Sequence, residues 1–370
     1  PHERAIFGAR AHSVFSALSR CRCLLLPMLC AWFGLRALLS HASDPLGPFD
    51  EGLLFTDAFL MRRGQVIYGD FYVNYPPGIL QVVRAIIGLG LPPIFSVRVF
   101  TLLVRIGSAV LAGWLAGRAY GRRMFWSVVA VVLILQANLG LTAYAYSVAV
   151  FLGLVSIALW PRPDSRRARA VASGITLGLL SYFRHDLFVY VLALLGPLET
   201  VSWAMRRRSL LLGSLRQLLL LGGGAAATAL LLWLPQLLIS GPSRVLHDVV
   251  FDQVQRVIPG RVLPLPSFGG STEIPALNLS VPSWMATQLT VCLALAAAAT
   301  LAALLLPLRL LARPSSAHPR RIAMLLCVFA IATLPQALQR TDYSHAAFGV
   351  PLTAAALWAV AGSWIDAPVV

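Results

Sequence analysis

Three short stretches hold most of the side chains whose types could do chemistry. The first is 49-FDEGLLFTDAF-59, which sets Asp50, Glu51 and Asp57 among leucines and phenylalanines. A carboxylate in such surroundings is costly unless it is paired, hydrated or used. Within hydrogen-bonding reach of a hydroxyl it can serve as a general base. The others are 182-YFRHDLF-188, with Arg184, His185 and Asp186, and 339-QRTDYSHAAF-348, with Arg340, Asp342, Tyr343 and His345. Arginine forks suit phosphate oxygens. A fourth tract, 68-YGDFYVNYPPG-78, supplies Asp70 and Tyr75. It reads as extended, because a residue before proline disfavours the helical region.

The elements that must position these residues are membrane helices. Of 370 residues, 58% are hydrophobic and 12% charged, and mean hydropathy is +0.77. Soluble domains run near 25% charged. Apolar spans fall near 23–40, 97–117, 124–140, 146–160, 170–183, 187–204, 217–239, 283–306, 322–338 and 346–364, several of them long enough to cross about 30 Å of hydrocarbon. The sequence therefore predicts an all-α, multi-pass membrane domain of about ten helices over 1–370. Its two large external loops are 41–96, with juxtamembrane helices, and 240–282.

The net charge of +16 comes with no lysine at all, which reads as the compositional bias of a bacterial genome. The arginines are spread over short loops between apolar runs rather than gathered into a nucleic-acid face, so no nucleic-acid partner is expected. The basic clusters around Arg4–Arg22, Arg118–Arg123, Arg162–Arg169, Arg206–Arg216 and Arg309–Arg321 mark cytoplasmic loops by the positive-inside rule. Both termini then lie inside, and all three chemistry-bearing stretches face the extracytoplasmic side of the cell (inner) membrane. Residues 78–95 are short and carry Arg84 and Pro92-Pro93, so they read as a helix at the external surface. Ser40-His41-Ala42 could mark a signal-peptide cleavage site, but the long apolar run with Arg36 favours an uncleaved first span. Cys21, Cys23, Cys30, Cys292 and Cys327 lack metal-ligand spacing. The sequon 278-NLS-280 matters only in a host that glycosylates it.

Within the first loop, residues 50–63 read as a helix ended by Gly64, with Asp50 and Asp57 on one face. An acidic pair after the first span, this helix, then Gly64, Tyr68, Asp70 and 75-YPPG-78 resemble the C-type (GT-C) membrane glycosyltransferases. The pattern is most similar to the protein O-mannosyltransferase and lipid A aminoarabinose transferase group. The likeness covers about residues 23–200, and Arg98 entering the next span fits it. It implies a glycosyltransferase moving a sugar from a polyprenyl-phosphate donor to a hydroxyl of a lipid, glycan or protein acceptor on the external face, with inversion. By motif position Asp50 is then the general base, and Glu51 orients the acceptor or shares a divalent cation (magnesium or manganese) with it. Asp70, Tyr75, Arg184, His185, Arg340, Asp342 and His345 are the substrate-binding candidates. Family relatives often carry an acid in the second external loop, but 140-GLTAYAY-146 has none. Asp70 or Asp57 would have to substitute.

Each residue also has a structural alternative. Asp50 can cap its helix, and Asp57 can pair with Arg62 or Arg63. Arg184–Asp186 and Arg340–Asp342 can be local turn pairs, and the two histidines interfacial residues. Arg36 and Arg105 can snorkel to a headgroup. The 244–266 segment reads as an interfacial helix with Asp248, Asp252, Arg256 and Arg261, covering the site or merely connecting spans. Two other functions stay open. A transporter or flippase of lipid-linked saccharides would place charges along a path through several spans. A non-catalytic scaffold would retain the fold without the missing acid.

Overall fold

The computed structural model describes residues 24–47, 50–73, 75–120, 122–160, 167–204, 215–257, 259, 273–274, 279–280, 283–312, 318–339 and 343–365. The N-terminal arginine cluster, Cys21, Cys23, Arg261, the sequon at Asn278, Arg340 and Asp342 lie outside the described residues.

The described chain is predominantly helical, with one two-residue antiparallel ribbon pairing Glu273–Ile274 with Leu279–Ser280. Helix α1 covers 24–40, and α2 is Asp50–Arg62. There follow α3 (Gly78–Gly88), α4 (Pro93–Tyr120), α5 (Arg122–Gln136), α6 (Ala145–Leu159), α7 (Arg167–Phe183), α8 (His185–Ala204) and α9 (Leu215–Ser240). Short α10 (Pro242–Leu246) runs into two wide π-type turns, His247–Phe251 and Gln253–Val257. The chain closes with α11 (Ser283–Ala312), α12 (His318–Ala332), α13 (Leu334–Gln339), α14 (Tyr343–Phe348) and α15 (Val350–Ile365).

Five stretches are long and apolar enough to cross a membrane: Leu24–Ser43, Pro93–Ala119, Arg216–Ser240, Ala286–Leu305 and Arg321–Gln339. The chain is a helical membrane protein. The expected ten spans are corrected to these five among the described residues. The apolar helices Met124–Gln136, Ala145–Leu159, His185–Pro197 and Val350–Gly362 are shorter. At 1.5 Å per residue, about 15 residues reach about 22 Å, less than the hydrocarbon thickness. Apolar runs in sequence do not distinguish a lipid-crossing helix from one buried by its neighbours. The segment read as a surface helix forms the 11-residue α3, also too short to cross.

Burial shows which helices make the core. Helix α15 packs against α4, α5, α11 and α12, and its Leu352, Ala354, Ala355, Ala356 and Ala359 are fully buried. Its small side chains let four neighbours approach. The α7–α9 pair is equally close: a Cβ on Gly178 would stand 2.4 Å from the Ala225 carbonyl oxygen. By contrast α1 and α9 expose Leu25, Leu26, Trp32, Phe33, Leu231, Leu238 and Ile239, as expected of helices facing lipid.

Candidate functional site

Helix α2 begins two residues after Pro48, at Asp50, and its first-turn carboxylates favour the positive end of the helix dipole. It ends as expected at Gly64, whose φ of 89° needs glycine. The Gln65 N–H reaches the Leu60 carbonyl and the Gly64 N–H that of Met61, a Schellman arrangement.

The two leading carboxylates then diverge. Glu51 is buried, and both its oxygens meet Arg98: Nε to Oε1 at 3.1 Å and Nη2 to Oε2 at 2.9 Å. Arg98 also donates to the carbonyls of Ala42 (3.1 Å), Asp44 (2.5 Å) and Pro45 (3.2 Å), while the Gly47 N–H donates to Glu51 Oε2 (3.1 Å). The pair fixes the 42–47 turn to α2 and α4. Asp50 faces the other way, and its Oδ2 accepts from the Tyr144 hydroxyl at 2.9 Å.

Asp50 lines a cavity of about 190 Å³ together with Tyr75, Tyr144, Tyr146, Arg184, His185, Asp186, Gln336 and His345. Five of the sequence candidates for the site, Asp50, Tyr75, Arg184, His185 and His345, thus meet although they come from four separate segments. Glu51 and Asp70 do not join them. Asp70 closes a local turn, its Oδ2 accepting from the Val66 N–H at 2.7 Å.

Arg184 sits in the break between α7 and α8. Its Nε donates to Asp186 Oδ1 at 2.8 Å, and Nη2 donates to Asp186 Oδ2 and, at 2.7 Å, to Gln336 Oε1. The guanidinium stacks over the Tyr146 ring at 4.8 Å. The local turn pair is therefore present and also borders the cavity. Burial alone would raise the Asp186 carboxyl, but Arg184 outweighs it and holds the group well below the usual carboxylate range. Burial also lowers the His185 imidazole, with Asp186 opposing and Arg184 adding to the shift. His185 Nδ1 is buried without a hydrogen-bond partner.

Two features hold the 68–78 tract over the cavity. Tyr68 takes a left-handed backbone (φ 63°), uncommon for a bulky residue, and its buried hydroxyl donates to the Tyr75 carbonyl at 2.7 Å. Gly78 lies so close to α7 that a Cβ would come within 2.6 Å of the Tyr182 carbonyl oxygen. The 240–257 segment closes another side. Its Val249, Val250, Gln253 and Val254 line the cavity. It is clasped to the tract by Tyr72 to Asp252 (2.5 Å), Arg244 to the Gly69 carbonyl (3.0 Å) and Ser240 to the Ile67 carbonyl (2.7 Å). The expected amphipathic helix here is short and wide-turned, and covers the site rather than only connecting spans.

Other expectations change. Arg105 does not snorkel: it is 1% exposed, and its Nη1 donates to the Gly140 carbonyl. That contact fixes the 140–146 turn that presents Tyr144 and Tyr146. Asp57 does not pair with Arg62, whose Nη1 donates to the Ile87 carbonyl at 2.7 Å. Sequence reading missed Tyr144 and Gln336. The two tyrosines of 140-GLTAYAY-146 are the sequence signal for that wall of the cavity.

The donor set does not fit a cation shared by Asp50 and Glu51, because Glu51 is committed to Arg98. Among the described residues no group of three or more His, Cys, Asp or Glu side chains gathers as metal ligands. Comparison of the chain with family models, curated proteins and solved structures returned no match.

Proposed function

We propose that the protein is a membrane glycosyltransferase of GT-C-like ancestry. It would transfer a sugar from a polyprenyl-phosphate donor to an acceptor hydroxyl on the extracytoplasmic face of a bacterial cell membrane. One observation carries the reading: a carboxylate reached from outside any ion pair shares a cavity with an arginine and two histidines. A base and an anion-holding group then line one cavity, as group transfer from a phosphate requires.

In the reaction, an Asp50 carboxylate oxygen takes the proton of the acceptor hydroxyl. The hydroxyl oxygen forms its bond to the anomeric carbon from the face opposite the phosphate, and the bond from that carbon to the phosphate oxygen breaks with its electron pair. Configuration inverts. The departing lipid phosphate gains negative charge, which Arg184 offsets through Nη1, the guanidinium nitrogen left free by Asp186 and Gln336. His185 and His345 offer further donors at that wall. Tyr144 holds Asp50 toward the cavity, and the 249–254 cover excludes water that would otherwise hydrolyse the donor.

The test incubates purified protein with a panel of polyprenyl-phosphate sugars and membrane-extracted acceptors. We expect turnover with at least one donor and a loss of about 10²–10⁴-fold in Asp50→Asn, the contribution typical of a general base. Wild-type turnover in that variant would remove Asp50 as the base.

A further inference from the structure

A second cavity, of about 210 Å³, is also lined by Asp50. It shares Asp50, Tyr75, Tyr144 and Ala145 with the first, so the Asp50–Tyr144 hydrogen bond stands in the wall between two chambers. Their charges differ. The first chamber holds the arginine Arg184, paired with Asp186, and two imidazoles, His185 and His345, besides Asp50. Among the described residues lining the second, the only charged groups are Asp50 and Asp57, set among Leu53, Leu54, Val73 and Leu80.

Asp57 is the residue that the activity leaves unexplained. It is half-buried, has no hydrogen bond or ion pair among the described residues, and lies two helical turns from Asp50 on the same face. A polar group held against apolar walls without a partner costs free energy. An occupant able to hydrogen-bond it would remove that cost. Two carboxylates and no cation in an apolar enclosure repel an anion, so a phosphate-bearing donor is directed to the first chamber. The apolar walls favour an apolar body in the second. A hydroxyl both donates and accepts, so it matches Asp57 in either protonation state.

We infer that the second chamber is the acceptor subsite and Asp57 its recognition carboxyl, selecting a hydroxyl-headed amphiphile that carries no anionic group. The inference rests on the glycosyltransferase reading for the word acceptor. The chemistry of the chamber is tested without turnover.

The experiment uses the full chain in phosphatidylcholine nanodiscs and three photoreactive probes. Each has the same diazirine-bearing ten-carbon tail, with a glucoside, a phosphate or a trimethylammonium head. Labelled positions are mapped by peptide mass spectrometry. The glucoside probe is expected to label Leu53–Leu54 and Ile79–Leu80 at least fivefold more than the phosphate probe. The phosphate probe is expected to label the Val249–Val254 cover. Asp57→Leu should cut glucoside labelling at Leu53–Leu54 at least fivefold and leave phosphate labelling at Val249–Val254 unchanged, which also reports that the variant is folded. Asp57→Asn, which keeps a hydrogen-bonding group, should retain at least half of the glucoside labelling. Equal labelling of Leu53–Leu54 by phosphate and glucoside probes would overturn the charge sorting. Glucoside labelling indifferent to Asp57→Leu would overturn the role of Asp57. Stronger labelling by the ammonium probe, lost in Asp57→Asn, would assign the chamber to a cation and overturn the hydroxyl assignment. An absence of turnover with the sugar panel alongside the expected labelling pattern would count against the transferase reading alone.

Discussion

Asp50 and Glu51 are neighbours in the chain and opposites in the fold. Glu51 is buried in an ion pair whose arginine also gathers three carbonyls, whereas Asp50 is exposed, held by one hydroxyl and open to two chambers. A hundred-degree turn of helix separates adjacent side chains, enough to place one in the protein and the other in a cavity. The difference shows how a costly buried pair can serve a site it does not touch. The Glu51–Arg98 contact anchors α2, and that anchoring sets where Asp50 points.

The largest expected effect tests the anchor. Arg98→Leu leaves Glu51 buried and unpaired, which should cost about 3–5 kcal/mol of stability, read as a lowered unfolding midpoint in nanodiscs. Adding Glu51→Leu should recover part of that loss but not all, because three carbonyls stay unsatisfied. Full recovery would show that the carbonyl contacts contribute nothing. Next comes the hydroxyl that aims Asp50. Tyr144→Phe should lower kcat about tenfold, in line with loss of a hydrogen bond to a charged group, without changing the donor's apparent KM. A raised KM with unchanged kcat would place Tyr144 in binding rather than in positioning.

The smallest effect concerns Asp57, where burial raises the carboxyl from its ordinary 3.8 to about 6. The folded state then holds this proton more tightly than the unfolded chain. Its stabilising contribution is fully present below 3.8 and lost as pH rises through about 6. Asp57→Asn should therefore gain on the wild type over that window by about 1 kcal/mol, the two-unit shift discounted for partial exposure. Asp50, Tyr72, Tyr75 and Tyr144 face the same chamber, so the profile is best read against Asp50→Asn as a reference. A flat difference between pH 4 and 7 would contradict the burial of Asp57.

Much of the first loop was legible. Gly64 ends α2 because no side chain tolerates its backbone as well, and Asp50 and Asp57 share a face because helical spacing leaves no alternative. The meeting of Asp50 with Arg184 and His345 was an expectation from topology, since all were assigned to one external face. The fate of Glu51 was less accessible. Its partner lies 47 positions away, and nothing local to DEGLL distinguishes an anchored carboxylate from a reactive one. Arg105 misled for a related reason: an arginine near a span end reads as snorkelling unless the neighbouring turn is known to bring it a carbonyl.

By itself, the sequence determined that this chain is a bundle of apolar helices, with most of its arginines clustered between the apolar runs. Hydropathy and the spacing of arginines follow from the cost of charge in hydrocarbon, which acts at every position separately. Only the tertiary structure decided how many helices have the length to cross and which of two adjacent acids is anchored. It alone also divided the space beside Asp50 into a chamber that holds an arginine and one whose charged groups are carboxylates. Those outcomes depend on contacts between residues far apart in the chain, such as Arg98 with Glu51 and Tyr144 with Asp50, which form only when the helices pack.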